Sequence, residues 1–163
     1  MKRLYYLLSL CLALGSVACK TTKPTSGTDA NPHITGSNNS PQSYYDNARQ
    51  TVAPAAVAEA SADPEYGFTQ KKPVCVGGTS ADGVRNQQSY LNALRGPKGE
   101  EISYRRRGSC CPFKTPHGLI NNMGMLDIYE LNWTGSEKPL IIYVNLYDEG
   151  PLRAPVGLTL AKP

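Results

Sequence analysis

The stretch MLDIYELNWTGSEKPLIIYVNLYD, residues 125–148, decides the fold of this chain. Its first part alternates: Leu126 and Ile128 fall on one side, Tyr129 and Leu131 on the other, and this period of two predicts a strand. The GSEKP segment that follows has the composition of a turn, and the LIIYVNLYD run after it is β-branched and aromatic, as strands are. The stretch therefore predicts an antiparallel hairpin.

Segments on either side extend this hairpin into a domain. Residues 84–95 carry apolar side chains at roughly helical spacing and end before a Gly-Pro pair, which predicts one helix. Residues 101–107 alternate as a half-buried strand does, and residues 156–160 read as a last strand. We therefore expect an α+β domain over 66–163, in which one helix packs on an antiparallel sheet of four or five strands.

The segment before this domain, residues 19–65, differs in composition. It is rich in Thr, Ser, Asn, Pro and Ala and almost lacks large aliphatic side chains. Such a segment buries too little apolar surface to offset the entropy lost on ordering. The composition predicts a flexible, disordered tether that holds the domain away from its point of attachment.

Residues 1–18 have the layout of a secretory signal peptide. Lys2 and Arg3 precede the apolar run at 4–14, and small residues lead to Cys19. The apolar run is short for a transmembrane helix, which needs about 20 residues. A transmembrane anchor or a buried first helix is the alternative interpretation. The pattern favours export.

The residues around Cys19 resemble the bacterial lipobox, whose cysteine is acylated, with palmitate for example, and becomes the first mature residue. SVAC departs from that pattern at Ser16, where leucine is preferred, so ordinary signal cleavage is the alternative. Two or three acyl chains would anchor the protein to a membrane durably. Lys20, in place of an aspartate, favours the outer membrane; the absence of an acidic tag favours its periplasmic face, with the cell surface as the alternative.

The charge of the chain is mild. Its formal net charge is +4, and removal of Lys2 and Arg3 with the signal lowers this by two, to +2. Neither this balance nor an exported location gives an argument for nucleic-acid binding. The sequence implies no cofactor.

If lipid occupies Cys19, the mature chain keeps three other cysteines, Cys75, Cys110 and Cys111. An exported protein meets an oxidising compartment, so one disulfide and one leftover thiol are expected. Ring closure between adjacent cysteines is strained, which favours a bridge from Cys75 to Cys110 or Cys111. Such a bridge would clip the start of the domain to its central loop.

The segment RRRGSCCPFKTPHG, residues 105–118, concentrates reactive side chains. Nearby cations favour a thiolate, and His117 could act as a base, so Cys111 and His117 form a candidate catalytic pair. A metal site would need three or four ligands in a known spacing, and none is evident. The structural alternative is a disulfide-stapled loop with solvated arginines.

Residues 66–163 resemble a group of uncharacterised bacterial lipoproteins, chiefly of the Bacteroidota type. The resemblance rests on four motifs: YGF (66–68), YLNALRGPKGEEISYRRRGSCCPFKTP (90–116), MLDIYEL (125–131) and YVNLYD…LRAPVGLTL (143–160). It implies an envelope lipoprotein without an established activity. Some similar sequences carry the label 2-dehydro-3-deoxyphosphooctonate aldolase. That enzyme resembles a TIM barrel, which takes about 250 residues.

Two functions follow from these patterns. The first is an exported, lipid-anchored envelope lipoprotein whose domain, without catalysis, binds a partner protein or a glycan of the envelope. The second is a thiol-dependent enzyme or redox module that uses the loop with Cys110, Cys111 and His117. The aldolase label is a weaker third.

Overall fold

The computed structural model describes residues 27–78 and 82–161, and Cys19 and the signal segment lie outside these ranges. Two helices and nine strands form within them. In chain order they are β1 (Gly27–Thr28), β2 (Asn31–Pro32), β3 (Gly36–Ser37), α1 (Gln42–Thr51), β4 (Val74–Cys75), α2 (Gly83–Ala93), β5 (Leu94–Arg95), β6 (Ser103–Lys114), β7 (Met123–Asn132), β8 (Leu140–Asn145) and β9 (Thr159–Leu160).

The main sheet has the strand order β3-β6-β7-β8-β4. The first four strands are antiparallel, and the hairpin expected over 125–148 is β7 paired with β8. Short β4 is parallel to β8, at the edge of the sheet. The α+β class is confirmed in outline, with two differences: the sheet is mixed rather than antiparallel throughout, and there are two helices rather than one.

The strands outside the hairpin differ from expectation in extent. The segment expected as a strand at 101–107 and a stapled loop beyond it is a single long strand, β6, with two irregularities in its pairing to β7. The last strand, β9, pairs with β5 at the end of the second helix rather than with the main sheet. Through this pairing β9 lies beside the residues that directly follow α2.

The alternation along β7 separates two apolar clusters. Tyr129 and Leu131 belong to the larger cluster, together with side chains from α2 and the neighbouring strands. Leu126 and Ile128 belong to a smaller cluster on the opposite face of the sheet. The two faces of β7 are therefore those that its sequence predicts.

The smaller cluster is covered by the N-terminal part of the described chain. It consists of Cys110, Leu126, Ile128 and Tyr143, and Ile34 packs against it. The hydroxyl of Tyr143 also donates a hydrogen bond to a backbone carbonyl of the segment that follows β1. This segment therefore covers part of the second face of the sheet.

The expectation of a flexible tether over 19–65 is wrong for residues 27–65. Tyr45 and Ala48 of α1 are buried, at 3% and 5% exposure. The buried amide of Asn92 donates hydrogen bonds to the carbonyls of Ala48 and Val52 at 3.0 and 2.7 Å. The segment docks partly through its backbone carbonyls and the ring of Tyr45, contacts that its low content of large aliphatic side chains does not reveal.

Candidate functional site

The disulfide of the domain joins two adjacent residues, Cys110 and Cys111, and Cys75 is a free thiol. The expected bridge from Cys75 to one of these cysteines is therefore wrong. The expectation assumed that strain excludes a bridge between neighbours. Here the bridge lies at an irregularity of β6, where the backbone departs from the regular strand.

The register of the sheet explains why Cys75 takes no part. Cys110 on β6 pairs with Leu126 on β7. Extending the register of β7 and β8 by one residue beyond the pair of Asp127 and Val144 brings Leu126 beside Asn145 on β8. Asn145 in turn lies beside Cys75. Three strand spacings of about 4.8 Å separate the two cysteines by about 14 Å. A disulfide requires Cα atoms within about 7 Å.

The free thiol of Cys75 is not set up as a strong nucleophile. It is half-buried, and its burial, with the charge of Asp148 as the second cause, raises the pKa of the thiol. The amide of Asn145, at 3.7 Å from the sulfur, acts in the opposite direction with a smaller effect. At neutral pH Cys75 is therefore protonated and poorly nucleophilic.

Each residue of the candidate catalytic pair, Cys111 and His117, has another partner in the structure. The sulfur of Cys111 is bonded to Cys110, so it carries no thiolate in this state. The ring of His117 is largely exposed, and its Nδ1 lies 3.0 Å from Oδ1 of Asp148. The structure thus gives His117 a carboxylate partner that the sequence did not indicate.

Asp148 is the centre of a polar cluster at the end of β8. Its Oδ1 accepts a hydrogen bond of 2.6 Å from the hydroxyl of Thr115, and its Oδ2 accepts one of 2.8 Å from the amide of Asn145. Partial burial acts to raise the pKa of Asp148, but the bonds from Thr115, Asn145 and His117 together lower it below its usual value. The charged carboxylate therefore holds the start of the β6–β7 loop against the end of β8.

We expect Asp148→Asn to destabilise the protein by about 1–2 kcal/mol at pH 7, less than the roughly 1.5–3 kcal/mol typical of hydrogen bonds to a charged group, because the side chain of Asp148 is 32% exposed. A carboxyl whose folded-state pKa is lowered from 3.8 stabilises the fold above that value, and this contribution disappears as pH falls through the lowered pKa. The variant should therefore lose less stability than the wild type below about pH 4. Denaturant titrations across pH 2–7 measure this.

Glu149→Gln is the matched control, because it removes the same charge one residue further along the chain. The account of Asp148 is wrong if both variants change the loss of stability below about pH 4 equally.

The loop between β6 and β7 ends in an exposed apolar tip, which we define as residues Leu119, Ile120 and Met123. Their exposures are 67%, 73% and 36%. Sequence reasoning did not single them out, although two adjacent aliphatic residues before an Asn-Asn pair are an unusual composition for a turn. Leu119 and Ile120 are the two most exposed large hydrophobic side chains within residues 27–78 and 82–161.

The hairpin tip is held in a defined conformation. The amide of Met123 donates to the carbonyl of Ile120 at 2.9 Å, and the amide of Thr115 donates to that of Asn122 at 3.0 Å. Asn121 and Asn122 have φ angles of 51° and 56°, a left-handed conformation that asparagine tolerates. Because Thr115 also bonds Asp148, the polar cluster and the tip form one unit.

A buried ionic network that the sequence did not reveal lies on the helix side of the sheet. Asp127, 5% exposed, accepts hydrogen bonds from Arg106 at 2.7 Å and Ser109 at 2.9 Å. It accepts a third, of 2.7 Å, from the amide of Gln87 on α2, whose own carbonyl accepts one from Tyr129. Both oxygens of the carboxylate accept hydrogen bonds from neighbouring side chains, so we interpret this network as structural.

Other kinds of site are constrained within the described ranges. Among residues 27–78 and 82–161, no group of three His, Cys, Asp or Glu side chains is placed to hold a metal ion. None of the helices in these ranges is both long and apolar enough to cross a membrane.

Comparisons with protein-family models, with curated proteins and with solved structures found no match to this chain. The resemblance to envelope lipoproteins therefore stays a prediction.

Proposed function

We propose that this chain is an exported, lipid-anchored protein of the cell envelope, held in the outer membrane, whose folded domain binds a partner protein through the hairpin tip. The observation that carries the binding role is the exposure of Leu119 and Ile120, at 67% and 73%. Fully burying an aliphatic side chain is favourable by about 1.5–3 kcal/mol. Two such side chains on one ordered loop are an available source of binding energy.

The surroundings of the tip support a protein partner. Asn121, Asn122 and Lys114 are exposed around the apolar side chains, and His117 adds a polar ring next to them. An apolar centre inside a polar rim is the anatomy of protein–protein interfaces. The defined conformation of the loop lowers the entropic cost of binding, because little remains to be ordered.

The anchor part of the proposal rests on the signal layout and the lipobox at Cys19. Because residues 27–65 dock onto the domain, only a short segment remains between the folded part and Cys19. Only seven residues lie between Cys19 and Gly27, where the described chain begins. The eight steps from one Cα atom to the next, at about 3.5 Å each, span at most about 28 Å. The domain is therefore held near the membrane surface, and the partner must reach the tip there.

The anchor is tested by Cys19→Ser. We expect the wild type to fractionate with the outer membrane and to incorporate labelled palmitate, and the variant to do neither, because the acyl chains supply the membrane affinity. A wild-type protein whose N-terminal mass shows an unmodified Cys19, or a cleavage elsewhere, contradicts the anchor.

Binding by the tip is tested by the double variant Leu119→Ser/Ile120→Ser. Loss of about 3 kcal/mol of apolar burial should weaken the complex about 100-fold. On native gels of envelopes solubilised in mild detergent, we expect the wild type in a complex larger than the monomer and the double variant as the monomer. The free energy of unfolding should change by less than about 0.5 kcal/mol, since both side chains are exposed.

Val156→Ser is the matched control. Val156 is also exposed, at 44%, but it lies between β8 and β9 and not in the β6–β7 loop. The control variant should keep the complex. If the double variant keeps it as well, the tip is not the binding surface.

A further inference from the structure

The disulfide between Cys110 and Cys111 does little for stability by the usual route. A disulfide stabilises a fold mainly by shortening the loops open to the unfolded chain, and the effect grows with the number of residues enclosed. Adjacent cysteines enclose no loop. The entropic reason for keeping a disulfide is therefore absent here, and a chemical reason becomes relevant.

The two sulfurs lie in different environments. Cys110 is fully buried in the smaller apolar cluster, beside Leu126 and Ile128. Cys111 is only half-buried, at the surface end of the pair. In thiol–disulfide exchange the outcome depends on which sulfur an incoming thiolate can reach. Here the reachable side chain is Cys111, and Cys110 is the leaving group.

The backbone at this position is held away from a regular strand. Between Cys110 and Phe113 the strand β6 carries one residue more than β7 does, which is the signature of a bulge. Cys111 has a φ of 59°, a conformation that costs a residue with a β-carbon about 1–3 kcal/mol. Non-glycine residues in this region cluster at functional sites.

We propose that Cys110–Cys111 is a redox-active disulfide that exchanges with a dithiol protein of the envelope. One thiolate of the dithiol attacks Sγ of Cys111; the bond between the two cysteines breaks, and Cys110 leaves and takes up a proton. The second thiolate of the dithiol then attacks the mixed disulfide and releases Cys111, which is also protonated. Two electrons pass to the cysteine pair, and the dithiol becomes a disulfide.

This activity does not depend on the hairpin tip, and it uses neither His117 nor Cys75. It depends on export only for the compartment in which the dithiol is met. Its failure and the failure of tip binding are therefore separate results.

The probe is a thioredoxin-type dithiol protein, applied to the native protein in its proposed mature form, from which Cys11 is removed with the signal segment and in which lipid occupies Cys19. Alkylation and mass spectrometry are the readout, and we expect two more cysteines to be alkylated after treatment than before it. A form of the probe that lacks its second cysteine should be trapped as a mixed disulfide on Cys111. Cys111→Ser should abolish the trapped adduct, and Cys75→Ser should leave its yield within about twofold of the wild type.

Three results would overturn the proposal. The first is that Cys110 and Cys111 become alkylated only after unfolding in guanidinium. The second is a trapped adduct on Cys75. The third is that oxidised glutathione fails to rejoin Cys110 to Cys111 in the native protein.

Discussion

Asp127→Ala will lower the free energy of unfolding by about 3–5 kcal/mol, the cost of breaking a buried ion pair by removing one partner. Asp127 is 5% exposed and is the shared acceptor of Arg106, Ser109 and Gln87. Without it, the guanidinium of Arg106 keeps its desolvation cost and loses its counter-charge. Because Gln87 lies on α2, the variant also weakens the contact between the helix and the sheet. Denaturant titration at pH 7 measures the loss.

Asp63→Ala is the matched control for this experiment. Asp63 forms an ion pair with Lys72, but the two side chains are 41% and 43% exposed. Solvent screens an exposed pair, so the control should leave the free energy of unfolding close to that of the wild type. If Asp127→Ala stays within about 1 kcal/mol of the wild type, the buried network is not what couples the helix to the sheet.

Gly108→Ala should detach the N-terminal segment from the sheet while the remaining sheet persists. Gly108 has a φ of 149°, and a β-carbon built there would lie 2.0 Å from the carbonyl oxygen of Gly36 and 2.6 Å from Ile34. These are the contacts that seat β3 on β6. The backbone of β6 is fixed by its long pairing with β7, so the short strand β3 is the element that must move.

Hydrogen exchange is the appropriate measurement, because it reports local opening separately from global unfolding. The amide of Thr35, bonded to the carbonyl of Ser109 at 2.9 Å, should exchange at least about tenfold faster in the variant, which corresponds to about 1.4 kcal/mol. Gly135→Ala is the control: its φ is 91°, but nothing lies within 4 Å of the added carbon. Unchanged exchange at Thr35 in Gly108→Ala would contradict the docking of this segment.

The periodicity of the sequence predicted the central hairpin and the helix α2, but it did not predict that the N-terminal segment docks on the domain. The hairpin of β7 and β8 follows from alternation, because side-chain direction in a strand has a period of two. The helix α2 follows from spacing and a Gly-Pro stop. The docking of α1 could not be foreseen from composition, because it depends on Asn92, a buried side chain whose partners are backbone carbonyls 44 and 40 positions earlier.

The candidate site was harder to foresee than the fold, for a related reason. The cysteine pairing depends on strand order: Cys75 and Cys110 share a row of the sheet, and only the order β6-β7-β8-β4 shows that two strands separate them. The bond between His117 and Asp148 likewise joins residues that only the register of the hairpins brings together. The hairpin tip was visible in the sequence as adjacent Leu119 and Ile120, but its exposure was not.

The central claim is that the hairpin tip contacts a partner while the protein sits at its membrane. The most direct measurement is photo-crosslinking in living cells with a photoreactive amino acid at position 120 of the full-length chain, compared with the same amino acid at position 156. The account predicts a protein adduct of one defined mass from position 120, absent from position 156 and lost when Leu119 is replaced by serine. Equal crosslinking from both positions, or adducts from position 120 with lipid alone, would contradict it.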